Sequence, residues 1–102
     1  LNKVYSDKHF AYSRTIRSSD IDVNNHTNNL KYNFMVLDAF SVKELKSFDI
    51  KEYEIYFVNQ RFEGDELKVY KKKIKNYFYI EGKVQDKTIF KSVIKFKKKK
   101  GS

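Results

Sequence analysis

The chain has 102 residues, with 22 Lys and Arg against 13 Asp and Glu and a formal net charge of +9. That length fits one domain with one modest core, and no run approaches the roughly 18 apolar residues that a membrane-spanning helix needs. Cysteine is absent, which excludes a disulfide scaffold, a thiolate metal site and a cysteine nucleophile.

The core material is aromatic: 8 Tyr and 9 Phe, each able to bury about 150–250 Å². Such a chain folds rather than staying disordered. All but Arg14, Arg17 and Arg61 of its basic residues are Lys. Nucleic-acid readers lean on Arg for bidentate contacts, so no nucleic-acid partner is expected. No leader peptide is expected from the opening residues, and the expected location is cytoplasmic. The first residue is Leu, which reads as a processed product or a piece of a longer chain.

Residues 1–9 are unpatterned and read as a lead-in. Phe10–Ser18 is predicted as a strand, with Arg14 on the same face as Phe10, Tyr12 and Ile16. Ser19–Asn29 is dense in Asp and Asn, the residues of turns and helix caps. A helix follows over Asn28–Phe40. Leu30, Phe34, Val36, Leu37 and Phe40 recur at helical steps, and Tyr32, Met35 and Ala39 fill the other side. Being apolar nearly all round, it should be buried on most sides. Ser41–Phe48 is a second short helical turn, because Ser41 and Glu44 have capping-box spacing.

The period then changes to two. Lys51–Arg61, Glu66–Lys75, Tyr77–Val84 and Thr88–Lys97 are predicted strands, divided by turn signals at Glu63-Gly64-Asp65, Asn76 and Gln85-Asp86-Lys87. Glu66–Lys75 carries Lys68 and Lys71–Lys73, charges that would guard an edge if it lay there. Residues 98–102 read as a basic tail. Consecutive strands with short turns pair antiparallel. The expected class is α+β: one antiparallel sheet around one apolar helix.

One stretch is distinctive. Asp20, Asp22, Asn24, His26, Asn28, Asn29 and Tyr32 form D-x-D-x-N-x-H-x-N-N-x-x-Y at the mouth of the helix. With a strand before it and four after, this resembles the hotdog fold, and the motif is similar to that of acyl-acyl-carrier-protein (acyl-ACP) thioesterases. FVNQRFEGDEL, residues 57–67, resembles the same family. The likeness spans residues 10–97 and looks most like the second-half domain of that double-hotdog family. It implies hydrolysis of fatty acyl thioesters in fatty acid biosynthesis. It also implies an acidic carrier protein as partner, and either a homodimer or a missing second hotdog domain. Asp22, Asn24 and His26 fall on the family's functional residues. Where the family has Glu, followed by Cys in plant members, this chain has Gln60 and Arg61.

The residue types suit that chemistry. Thioester hydrolysis needs an aligned water, a base and donors for the oxyanion. Asp22 and His26 are four apart in one loop, and His titrates near neutrality. Asn24 can hold water or substrate. The helix start offers free N–H groups and the positive end of its dipole. Gln60 cannot act as a base but can orient a water. The expected catalytic set is therefore Asp22, Asn24, His26 and Gln60. The rival expectations are an acyl-coenzyme A thioesterase and a non-catalytic hotdog that binds acyl groups or dimerises. His9 and His26 lack carboxylates at ligand spacing, and only three Gly are present. No metal, phosphate loop or cofactor is expected.

Overall fold

A computed structural model describes residues 7–21 and 29–100. Short 3-10 turns occupy Asp7–His9 and Ser18–Asp20 on either side of strand β1, Phe10–Thr15. Helices α1, Asn29–Leu37, and α2, Val42–Lys46, follow. Strands β2 (Phe48–Phe57), β3 (Glu66–Ile74), β4 (Tyr77–Val84) and β5 (Lys87–Lys98) complete the chain. All pairings are antiparallel, in one five-stranded sheet of order β1-β3-β4-β5-β2.

Two tight turns build the β3-β4-β5 meander. Lys75 and Gln85 each open a two-residue turn at φ 54, the twist that suits a hairpin. The β2–β3 connection turns at Gly64, φ 91. There the Asp65 carboxylate accepts from Phe62 N at 2.9 Å, and Gly64 N donates to Ile16 O at 2.9 Å.

One row of residues explains how the helix sits. Tyr12, Val69, Gly82, Phe90 and Phe57 lie opposite one another across all five strands, and directly opposed residues share a face. Tyr12 Oη donates to Met35 O. The Tyr32 ring meets Phe57 and Phe90 edge-on at 5.2 and 5.5 Å. Gly82 leaves the space that the Phe90 ring fills. At the far end Phe40, Phe48, Phe78 and Phe96 form an aromatic cluster.

Three expectations are corrected, and the place of β3 is settled. The helix ends at Leu37 because the chain tightens there: Ala39 N and Phe40 N donate to Val36 O and Leu37 O, and Phe40 turns into the cluster. Nor is α1 buried on most sides. Tyr32, Met35 and Val36 face the sheet, whereas Phe34 is 52% exposed, because the sheet covers only one side. Strand β3 is not an edge, since β1 pairs with it. Its Lys71 instead donates to Ala39 O at 2.7 Å and pairs with Glu44 at 2.9 Å. Finally, the basic tail is partly strand: Lys98 pairs with Phe48 across β5 and β2.

The Ser41–Glu44 capping box is present, with bonds of 2.9 and 3.0 Å. Burial pushes the Glu44 carboxyl up, but the Ser41 N–H and the Lys71 ammonium outweigh it. They hold the group below its ordinary 4.5. A carboxyl depressed on folding stabilises the protein above its unfolded-state value, and the gain is lost as pH falls through the folded-state value. Glu44→Gln should therefore lower the urea midpoint near neutrality, and by less near about pH 3. An equal gap at both pH values would rule the carboxylate out as the cause.

Candidate functional site

Asp22, Asn24 and His26 lie outside the described residues. What the structure gives is the ground on which their segment stands. The stem before it ends at Asp20 and Ile21, and α1 begins just after it.

Asp20 is 1% exposed. A buried carboxylate is costly unless paired and hydrogen-bonded. Its Oδ2 accepts from Arg14 Nη2 at 2.6 Å and from Arg17 N at 2.9 Å. Arg61 Nη2 donates to the Asp20 carbonyl at 3.3 Å. The first acid of the motif is thus a structural anchor, clamped from β1 and from the segment after β2. The sequence held one sign of it: Arg14 stands on an otherwise apolar strand face, and such a cation calls for a buried acid.

Gln60 is exposed in the segment following β2. A shallow depression of about 220 Å³ is lined by residues 57–61. Val58 N donates to Ile89 O at 2.9 Å and Asn59 Nδ2 to Thr88 O at 2.7 Å, pinning this segment to β5. Arg61 then reaches the Asp20 carbonyl, so the structure brings Arg61 against the stem of the motif, while Gln60 beside it stays exposed.

Tyr32, in the first turn of α1, closes the group. The Arg61 guanidinium stands 4.8 Å from the centre of its ring, a cation–π contact. Burial pushes the Tyr32 phenol up to about 12, against the opposing pull of the Arg61 charge. It is a neutral hydroxyl at any physiological pH. Tyr32 Oη and Arg61 Nε are both buried and have no hydrogen-bond partner among the described residues. Arg61 Nε can only donate, whereas Tyr32 Oη can donate or accept. Beside the motif stem the Arg61 Nε–H is therefore a buried donor next to a phenol.

Among the described residues no group of three His, Asp or Glu is placed to hold a metal ion. No helix there is long and apolar enough to cross a membrane.

Comparison with known proteins places this geometry. No curated protein matches the chain significantly. Several solved structures share the fold, among them the following three. An acyl-ACP thioesterase from Bacteroides thetaiotaomicron superposes with a TM-score of 0.79 at 26% identity over 92% of this chain and 40% of that one. A putative oleoyl thioesterase from Lactobacillus plantarum gives 0.78 at 17% identity over 96% and 41%. The 12:0-ACP thioesterase from Umbellularia californica gives 0.77 at 20% identity over 97% and 39%. The chain thus spans about two-fifths of the length of each of these proteins. The sheet order and the fold are hotdog-like. The model of the acyl-ACP thioesterase C-terminal domain matches residues 4–101, nearly the whole sequence, and the chain belongs to that family.

Proposed function

We propose that the chain serves the hydrolysis of fatty acyl thioesters carried on acyl carrier protein, releasing free fatty acid. One observation carries this reading. Arg61, from the segment after β2, touches both the stem of the Asp22–His26 segment and Tyr32 in the first turn of α1, and its buried Nε–H has no acceptor among the described residues. A thioester carbonyl oxygen, or the water that attacks it, is such an acceptor.

In this mechanism Asp22 or His26 takes the proton of the attacking water. Asn24 and Gln60 position water and substrate. The N–H groups at the start of α1 stabilise the oxyanion. On this reading α1 serves as the central helix of a hotdog, and the acyl chain lies along its side away from the sheet, past Phe34 and Leu37; Val36 faces the sheet instead. The 52% exposure of Phe34 supports an apolar ligand or a second domain on that side.

A second copy, or a second hotdog domain, pairs with β2. That strand is an edge and exposes Ile50, Tyr53, Tyr56 and Phe57, with backbone groups open to pairing. Light scattering at two concentrations should give the mass of a dimer at the higher one. A monomer at both would remove the second copy.

The test of chemistry is an acyl-ACP hydrolysis assay. Asp22→Ala and His26→Ala should each lower the rate about 10²–10⁴-fold, and unchanged rates in both would end the proposed mechanism. The same assay with acyl-coenzyme A distinguishes the carrier. Acyl binding without turnover would favour the non-catalytic reading, to which Gln60 in place of a carboxylate lends support.

A further inference from the structure

The two edge strands of the sheet, β1 and β2, each send one tyrosine hydroxyl to α1. Tyr12 Oη, from β1, donates to Met35 O. Tyr53 Oη, from β2, donates to Asn33 Oδ1. Burial pushes both phenols above their ordinary 10.0, so both remain donors near neutrality. The two bonds differ in kind. Tyr12 holds a backbone carbonyl, whereas Tyr53 holds a side chain that stands next to Tyr32 in the helix.

That adjacency fixes a rotation. Successive helical residues point about 100° apart. Tyr32 meets the Phe57 ring at 5.2 Å and Asn33 meets Tyr53, so neighbouring helix residues are tied to two positions of one strand. Phe57 and Tyr53 share a face of β2, opposite Phe90 and Ile94, and their spacing along the strand is about 13 Å. A ring contact alone lets the helix roll about its axis, since apolar packing is non-directional. The Tyr53 hydrogen bond is directional and removes that freedom. Tyr53 is 39% exposed, so its hydroxyl is no part of the buried core.

We propose that Tyr53 is a positioning residue: through Asn33 it sets the roll of α1, and with it the aim of the N–H groups at the helix start. What those groups act on rests on the reading above, in which they stabilise the oxyanion. Tyr53 itself touches no reacting atom in that scheme. A misaimed donor is felt where charge develops, in the transition state, so losing the Tyr53 hydroxyl lowers turnover and spares substrate binding.

The test is a double-mutant cycle. Tyr53→Phe keeps the ring and removes the hydroxyl, and Asn33→Ala removes the acceptor. With acyl-ACP each should lower kcat about tenfold, the size expected for one directional hydrogen bond, and leave KM within about twofold. The double variant should be no slower than either single, since the two residues act as one unit. Tyr77→Phe makes the same chemical change beside the buried Phe78 of β4, on the face turned from α1, and should leave kcat unchanged. Additive losses, an equal loss in Tyr77→Phe, or full kcat in Tyr53→Phe would overturn the proposal. So would a change of mass by light scattering in Tyr53→Phe, which would trace the loss to assembly at β2. Amide hydrogen exchange reads the helix without the chemistry. Tyr53→Phe should speed exchange from Asn33 to Leu37 about tenfold and leave β4 unchanged, and unaltered rates in α1 would also overturn the proposal. If the parent chain fails to hydrolyse acyl-ACP, the thioesterase reading fails while the exchange comparison still decides whether Tyr53 holds the helix.

Discussion

Gly82→Ala is expected to lower stability by about 3 kcal/mol, the upper part of the range for overpacked cores. In a chain of this size that is a fall of roughly 10–20 °C in Tm. A Cβ at Gly82 would stand 2.2 Å from Phe90 Cε2 and 2.7 Å from two further ring atoms. The ring has no room to retreat. Phe90 is fully buried and its face is met by Tyr32 from α1. The clash therefore pushes on the helix as well as on β5. Phe90→Leu added to Gly82→Ala should recover part of the loss, since contacting residues couple by about 0.5–3 kcal/mol. Denaturant unfolding of the two singles and the double checks this. Strict additivity would mean that the glycine is not making room for the ring.

Asp20→Ala is the second large effect, about 2–3 kcal/mol of stability. Removing one partner of a buried ion pair costs about 3–5 kcal/mol, discounted here because the Arg14 side chain is 31% exposed and water screens it. The variant also frees Arg17 N, which Asp20 Oδ2 caps. Asp20→Asn keeps an acceptor there and should lose about half as much. Because Asp20 holds the stem of the Asp22–His26 segment, Asp20→Ala should depress thioester hydrolysis even at temperatures where the protein remains folded. Full activity in a folded Asp20→Ala protein would show that the stem does not position the segment.

Local pattern made most of the strands legible. Tyr77–Val84 matches β4 to the residue, since alternation and its flanking turns both mark it. Leu67, Val69, Ile80, Phe90, Ile94 and Phe96 are buried as their spacing implies. The misreadings have long-range causes. Phe48 reads as the end of a helical turn until Lys98, fifty residues on, pairs with it. Whether β3 lies at an edge was left open by the sequence, because β1, which covers it, lies more than fifty residues away along the chain. The apolar stripe on α1 is ambiguous by itself, as nearly every side is apolar. Only the row from Tyr12 to Phe57 selects Tyr32, Met35 and Val36 as the inner face. At the site, the motif was visible as a run of polar residues. The clamp on Asp20 was legible only in part: Arg14 lies six residues before it, whereas Arg61 comes from 41 residues further on.

The strand order also governs how the domain can assemble. β2 is made early, yet both its ladder and the Phe90 seat for Tyr32 wait for β5, the last element in sequence. β1 likewise waits for β3. Only the β3-β4-β5 meander can form from neighbours, and the other two ladders are long-range, which places folding among the slower, non-local topologies, at milliseconds to seconds. A chain stopped short of β5 would hold a three-stranded piece and an orphan ribbon, not a smaller copy of the domain.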